Sequence, residues 1–398
     1  MDITIFPGKL SGTVTAIPSK SQAHRLLICA VFADAPTVLH CPETNRDIEA
    51  TAGCLNALGA EIVRTETGYN VSPVQQIPGK ATLNCHDSGS TLRFMLPVAG
   101  ALGVDTTFLM EGRLPNRPLS PLWEEMERMG CTLTRPTSDT FRCQGQLHAG
   151  EYVIDGGVSS QFITGLLLAT ALIPAESRIT LTGKVESRPY ITMTQRAMTL
   201  FGLKTNAFVV KGGSPYRSPG ELTVEGDWSN GAFFLAAKAL ENEVTMLNLC
   251  PDSPQGDRAV FDLLPALEDN ITISAADIPD LIPILSVVAA NKNGAVFTDI
   301  QRLRLKESDR VASVIAMIKN LGGMAEATEN TLTIFGTGLV GGTVDAVNDH
   351  RIAMSAAIAA TVCAKPVTIL GAECVKKSYP KFFEEYSRLG GNYEQHLR

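Results

Sequence analysis

The 398-residue chain contains no run of 18 apolar residues, so it offers no segment long enough to span a bilayer as a helix. The stretch at 162–174 comes nearest, and it is short and ends at Pro174. Nine cysteines are scattered from Cys29 to Cys374, an odd number without a CxxC, and no His stands at zinc-ligand spacing. That pattern points to reduced thiols in a cytoplasmic protein, with no disulfide framework and no metal. The opening Met1-Asp2-Ile3-Thr4-Ile5 lacks the basic-then-apolar layout of a secretory signal. There is no GxxxxGK[ST], HExxH or GxSxG, and the GLVGG at 338–342 lacks the order of a dinucleotide fingerprint, so no organic cofactor is implied. Cations are fewer than anions: 34 Lys and Arg against 41 Asp and Glu leave a net charge of −7. This balance argues against nucleic acid as a partner, and any anion site must be a local cluster working against the overall field.

The remaining composition is that of a globular protein, 44% apolar and 19% charged, long enough for two or three domains. Within it one pattern recurs six times: a short polar turn, then about ten small apolar residues. The apolar stretches lie near 26–32, 92–102, 162–172, 232–240, 281–290 and 352–363. Their turns are anchored at Ser19, Ser88, Ser159, Ser229, Pro279 and Asp349, in steps of 69, 71, 70, 50 and 70 residues. Between them lie amphipathic segments that end in an apolar residue plus Gly, at 48–59, 119–130, 191–202, 311–322 and 379–390, with a degenerate copy at 258–267. A Gly there is a helix C-cap signal. Each repeat thus predicts a buried helix, an exposed helix and strands such as 180–182, 332–335 and Val367–Leu370. Two groups of three repeats make two domains, and the turn-rich 216–220 is the better boundary from composition alone.

The polar turns carry cations and hydroxyls. Lys20, Ser21 and Arg25 belong to the first, Ser88, Gly89, Ser90 and Arg93 to the second, Ser159, Ser160 and Gln161 to the third, and His350 and Arg351 to the sixth. A turn entering a helix offers free N–H groups and the positive end of the dipole, which suits phosphate or carboxylate. Any one of these turns reads as an ordinary N-cap. Four together favour a convergent anion site. His24, His86 and His350 lie near the turns without forming a catalytic cluster. The segment Arg302-Leu303-Arg304-Leu305-Lys306-Glu307 alternates cation and Leu and reads as the end of a strand, either a charged sheet edge or a cationic rim around Glu307. Asp277 and Asp280 can each cap the following apolar helix; a partly buried Asp280 is the candidate general base.

Together these residues resemble the EPSP synthase family. The resemblance rests on Ser19-Lys20-Ser21 with Arg25, Ser88-Gly89-Ser90 with Arg93, Asn116-Arg117-Pro118, Ser159-Ser160-Gln161-Phe162 and Ser187-Arg188-Pro189-Tyr190. It continues through Asp280, Lys306-Glu307-Ser308-Asp309-Arg310, Asn348-Asp349-His350-Arg351 and Lys377. The resemblance implies an α/β fold: a two-domain inside-out α/β barrel, each domain three βαβαββ-type units with buried parallel helices. By analogy one domain spans 18–226, the other joins 1–17 to 227–398, and the active site lies in the cleft between them. It implies transfer of the enolpyruvyl group of phosphoenolpyruvate to shikimate 3-phosphate, without metal, cofactor or covalent enzyme intermediate, by a cytoplasmic monomer.

Carried over by motif, Ser21, Arg25, Ser159, Ser160, Gln161, Ser187, Asp280 and Lys306 would hold shikimate 3-phosphate. Gly89, Arg117, Gln161, Arg310, Arg351 and Lys377 would hold phosphoenolpyruvate, and Lys20 would touch both. Asp280 would take the proton of the attacking hydroxyl, and Glu307 with Lys20 would protonate the methylene carbon. The family's phosphoenolpyruvate-competitive inhibitor, glyphosate, would fit beside Gly89. The sequence departs from the family's habit at Asp87, Phe94 and Arg302, where many members have Asn, Pro and Asn. A UDP-N-acetylglucosamine enolpyruvyl transferase would share the fold and the chemistry. That branch usually carries a loop Cys, which 111–121 lacks, and an Asn where Ser21 stands. A non-catalytic phosphate- or RNA-binding repeat protein is disfavoured by Asp280, Lys306 and Glu307.

Overall fold

The computed structural model describes residues 1–213 and 216–396. The chain divides into two compact units, one made of Met1–Ile17 with Gly226–Arg398, the other of Pro18–Glu225. Each has its own hydrophobic core.

Twelve α-helices occur among the described residues. The unit 18–225 holds α1 (Lys20–Val31), α2 (Arg46–Ala57), α3 (Gly89–Leu102), α4 (Leu122–Arg128), α5 (Ser160–Thr170) and α6 (Arg188–Leu200). The other unit holds α7 (Trp228–Ala239), α8 (Val260–Ala266), α9 (Ile282–Asn291), α10 (Arg310–Asn320), α11 (His350–Ala359) and α12 (Phe382–Arg388). The odd-numbered helices are the small-apolar stretches, buried on nearly every side as helices without a polar face must be. The even-numbered helices are amphipathic. On α10 the buried residues Val311, Val314, Met317 and Ile318 follow the helical period. Beyond α2, α4, α6, α10 and α12 the expected glycines, Gly59, Gly130, Gly202, Gly322 and Gly390, take φ between +78° and +114°. That region strains a residue carrying a Cβ, so Gly ends these helices cheaply.

The repeat is plain in the strands. In one unit Lys80–Asn84, Asp105–Leu109, Thr140–Gly145 and Cys131–Thr134 lie side by side, the first pair parallel and the others antiparallel. In the other unit Ile271–Ser274, Ala295–Thr298, Thr331–Phe335 and Met324–Ala327 repeat that order and polarity. Three sheets per unit surround three buried helices, the reverse of a barrel with its strands inside. The interior tolerates close backbones. Pro97 within α3 cannot bond the carbonyl of Arg93 four residues back. Gly165 of α5 packs against that same carbonyl, where a Cβ would come within 2.3 Å of it.

Two expectations from composition need correcting. The turn-rich 216–220 is no boundary: Tyr216 is buried and its hydroxyl donates to Leu168 O. The strand Glu221–Thr223 beyond it pairs in parallel with Thr37–His40, so the chain leaves this unit only at Glu225. The charged run after Ile300 is not a strand end but a 3₁₀ helix, Gln301–Leu305. Its two buried apolar residues, Ile300 and Leu303, are three apart, the 3₁₀ period, while Leu305 is exposed.

Candidate active site

Five of the six polar turns supply a side-chain N-cap to the helix that follows, and hydrogen bonds join turns within one unit. In the unit 18–225, Ser19, Ser88 and Ser159 cap α1, α3 and α5 with their side chains. Gln161 Nε2 of α5 donates to Ser90 Oγ of α3 at 3.1 Å. Lys20 Nζ of α1 donates to Asp47 Oδ2 of α2 at 2.9 Å. Three buried helices thus present their positive ends on one side of the unit, with Lys20, Ser21, Ser159, Ser160 and Gln161 on their first turns. Gly89 opens α3, and a Cβ on it would lie 2.5 Å from Arg117 Nη1 and 2.8 Å from Arg93 Nη1. Two guanidinium groups therefore crowd the α3 N-terminus. Arg93 is held by the carbonyls of Gly89 and Pro118, at 3.3 and 3.0 Å, which sets the Arg117 segment beside the turn. Ser187 precedes α6 in a left-handed conformation, φ 55°, and is buried.

Arg25 is buried, and among the described residues it has no carboxylate within salt-bridge distance. Its donors reach Thr194 Oγ1 at 2.8 Å, Ser21 O at 2.5 Å, Thr164 Oγ1 at 3.2 Å and Tyr190 O at 3.0 Å. One Nη1 hydrogen remains. Burial pulls its pKa down to about 10. A cation kept dry without a countercharge favours the arrival of an anion.

The other unit gathers a dense ionic network. Asp280 pairs with Arg310 Nη1 through Oδ1 at 2.5 Å and with Arg351 Nη2 through Oδ2 at 2.9 Å, and Lys306 Nζ lies 3.9 Å away. Arg310 Nη2 donates to Glu307 Oε2 at 2.8 Å, and Arg310 Nε donates to Asp349 Oδ2 at 2.8 Å. Asp349, fully buried, also accepts from Ser308 Oγ and from the backbone of Arg351, both at 3.0 Å. Neither Asp277 nor Asp280 caps α9, whose N-cap Leu281 makes no side-chain cap bond. The Asp280 carboxylate accepts instead from the side chains of Arg310 and Arg351. Burial alone would raise the Asp280 pKa, yet Arg351, Lys306 and Arg310 outweigh it and hold the carboxyl well below the usual range. Lys306 is pulled down to about 8 by burial, against the opposing pull of Asp280. Lys377, buried at the end of the 3₁₀ helix Ala372–Lys377, belongs to the same unit.

Three carboxylates of this arrangement were not singled out from the sequence. Asp349 appeared as a turn anchor and within the Asn348–Arg351 motif without a role of its own, although its place before an Arg at a buried helix start was a signal. Asp47 sits 27 residues from its partner Lys20, and nothing local announces the pair. Asp257 is buried, accepts from Ser229 Oγ, and is pushed up to about 7 by burial and then by Asp280. Among the described residues no group of three or more His, Cys, Asp or Glu is arranged to hold a metal ion.

What the arrangement offers is clusters of cations at helix starts and two carboxylates, Asp280 and Glu307, held on Arg310. The chain matches the family model described as EPSP synthase (3-phosphoshikimate 1-carboxyvinyltransferase) over residues 6–276 and 265–386. It is 36% identical over 429 aligned positions to the 3-phosphoshikimate 1-carboxyvinyltransferase of Clostridium beijerinckii, covering 99% of this chain and 98% of that one. The protein of the same name from Clostridioides difficile is 34% identical at 99% and 98% coverage. An EPSP synthase structure from Acinetobacter baumannii superposes with a TM-score of 0.80 over 99% of this chain and 100% of that one at 24% identity, which carries the two-domain inside-out fold. With a family model and full-length relatives in agreement, the chain belongs to the EPSP synthase family.

Proposed function

We propose that this chain transfers the enolpyruvyl group of phosphoenolpyruvate to the 5-hydroxyl of shikimate 3-phosphate, giving 5-enolpyruvylshikimate 3-phosphate and phosphate. The observation that carries the reading is the Asp280 carboxylate held between Arg310 and Arg351, with Lys306 and Glu307 beside it. Lys20, Ser21, Arg25, Ser159, Ser160, Gln161, Ser187, Asp280 and Lys306 would bind shikimate 3-phosphate. Lys20, Gly89, Arg117, Gln161, Arg310, Arg351 and Lys377 would bind phosphoenolpyruvate. Arg forks suit both carboxylate and phosphate, and two polyanions need many cations to lie side by side.

The chemistry follows from the charges. Asp280 is a weak base while two guanidinium groups hold it. An incoming phosphoenolpyruvate carboxylate competes for Arg310 and Arg351, and the donors it takes restore basicity to Asp280. Asp280 then accepts the proton of the ring hydroxyl as that oxygen bonds to C2 of phosphoenolpyruvate. Glu307, aided by Lys20, delivers a proton to C3, which turns the methylene into a methyl. In the second half C3 returns a proton, the C2–O bond to phosphate breaks, and the double bond re-forms in the product. The substrate charges are met entirely by side chains and helix ends.

The chain works on these small molecules as a cytoplasmic monomer with no nucleic-acid partner. This reading is supported by the net charge of −7 and by nine unpaired cysteines, which suit a reducing compartment. No helix among the described residues is long and apolar enough to cross a membrane. The test is phosphate release from phosphoenolpyruvate with shikimate 3-phosphate or UDP-N-acetylglucosamine as acceptor. Release with the sugar nucleotide alone would overturn the assignment.

A further inference from the structure

A buried line of polar side chains crosses three helices behind the α3 N-terminus. His24 Nδ1 of α1 lies 2.6 Å from Thr51 Oγ1 of α2. Thr51 Oγ1 lies 2.8 Å from Thr91 Oγ1 of α3, and Thr91 Oγ1 donates to Ser88 Oγ at 2.8 Å. All four residues are at most 1% exposed. The line also meets the Lys20 partner: Thr91 Oγ1 is 3.4 Å from Asp47 O, and Asp47 Oδ2 accepts from Lys20 Nζ.

Each hydroxyl has one proton, so the direction of one bond fixes the rest. Thr91 has three acceptors within reach, Asp47 O at 3.4 Å and Thr51 Oγ1 and Ser88 Oγ at 2.8 Å each, and the Ser88 contact takes its proton because only Thr91 is placed to donate there. Thr51 must then donate to Thr91. Thr51 has no proton left for His24, so His24 Nδ1 must donate to it. The remaining ring nitrogen, Nε2, is buried with no hydrogen-bond partner and carries the lone pair. The edge of the imidazole packs against Phe94, with ring centroids 6.1 Å apart at 87°. Burial keeps the ring neutral, pulling its pKa down to about 3, and Lys20 and Arg25 oppose protonation while Asp47 favours it.

We propose that His24, Thr51 and Thr91 are positioning residues for the phosphoenolpyruvate half of the site: with His24 as its Nδ1–H tautomer, the line locks the Ser88–Ser90 turn against Asp47 and hence against Lys20. The proposal rests on the reading above that Lys20 and the Gly89 turn hold phosphoenolpyruvate. A turn so fixed keeps its N–H groups and the ammonium at one spacing before the anion arrives, so little is lost in ordering them on binding.

The test compares Thr91→Val, which keeps the shape and deletes the hydroxyl, with Thr91→Ser, which restores it. Thr91→Val should raise KM for phosphoenolpyruvate by about fivefold, the scale of one net hydrogen bond. KM for shikimate 3-phosphate and kcat should stay within about twofold. Thr91→Ser should return KM to near the parent value. Thr51→Val, one link further from the turn, should show the same pattern and serves if Thr91→Val does not fold. A lowered melting temperature with unchanged KM for phosphoenolpyruvate would make the line a packing feature and overturn the proposal. Nitrogen-15 NMR of the unmodified protein should find the His24 proton on Nδ1, and a proton on Nε2 would overturn the stated polarity. Absence of enolpyruvyl transfer by the parent protein would instead remove the functional reading, and the tautomer measurement would still decide the polarity.

Discussion

Replacing Asp280 with Asn separates the two tasks that the structure gives this residue. The carboxylate is a proton acceptor, and it is also a competitor for Arg310 and Arg351, at 2.5 and 2.9 Å. Asn keeps the volume and one acceptor oxygen and loses the charge and the basicity. Loss of a general base costs ~10²–10⁴ in rate, which at 1.36 kcal/mol per decade is about 3–5 kcal/mol of barrier. The guanidinium groups meanwhile lose a carboxylate partner, while Arg310 keeps Glu307 and Asp349. Phosphoenolpyruvate should therefore bind the variant as tightly as the parent or more tightly, because an anion no longer has to displace a carboxylate. Phosphate release at saturating substrates measures the first effect. Titration calorimetry with phosphoenolpyruvate in the presence of shikimate 3-phosphate measures the second. An unchanged kcat with weakened phosphoenolpyruvate binding would refute the argument on both counts and make Asp280 a binding group alone.

Three further outcomes follow from the same geometry. Asp349→Asn takes from Arg310, which is 1% exposed at its side chain, one of its three carboxylate partners, and should cost about 1.5–3 kcal/mol of stability in denaturant titration at pH 7. The depressed Asp349 and Asp280 carboxyls contribute stability that is present above the unfolded carboxylate range and lost as pH falls through their folded values. The acid limb of the parent should therefore be steeper than that of Asp349→Asn. Asp257 runs the other way: raised from 3.8 to about 7, it contributes stability present below pH 3.8 and lost as pH rises to 7. Asp257→Asn should gain on the parent between pH 4 and 7, by on the order of 4 kcal/mol from about three pH units, and stay level above; thermal melts at pH 5 and 8 that shift in parallel would contradict this. In Gly89→Ala the new Cβ, 2.5 Å from Arg117 Nη1, must push that guanidinium aside. KM for phosphoenolpyruvate should rise several-fold, and inhibition by the longer glyphosate should weaken more, as paired inhibition curves at matched saturation would show.

Much of the molecule was legible because it repeats. A 70-residue step, an apolar stretch behind a polar turn and a Gly after each amphipathic segment are local signals, and Ser19, Ser88 and Ser159 cap the helices they announce. The reading failed where long-range pairing decided the outcome. Glu221–Thr223 stays with its unit because it pairs with Thr37–His40, about 180 residues earlier, so no turn-rich composition at 216–220 could mark the crossing. The alternation of Arg302, Arg304 and Lys306 with Leu looked like a strand because charge alternation does not distinguish period two from a 3₁₀ turn whose second buried residue, Ile300, lies outside the run. The ionic roles of Asp47 and Asp349 depend on partners 27 and 39 residues away, Lys20 and Arg310, and helix capping hides them in sequence.

The most direct measurement follows phosphoenolpyruvate and shikimate 3-phosphate with this protein by phosphorus-31 and proton NMR in deuterated water. The account predicts one equivalent of inorganic phosphate for each enol ether formed at the 5-oxygen, with deuterium entering the vinyl methylene because C3 passes through a methyl. Phosphate release without an enol ether would reduce the protein to a hydrolase of phosphoenolpyruvate. An enol ether free of deuterium would contradict the addition and elimination assigned to Asp280, Glu307 and Lys20.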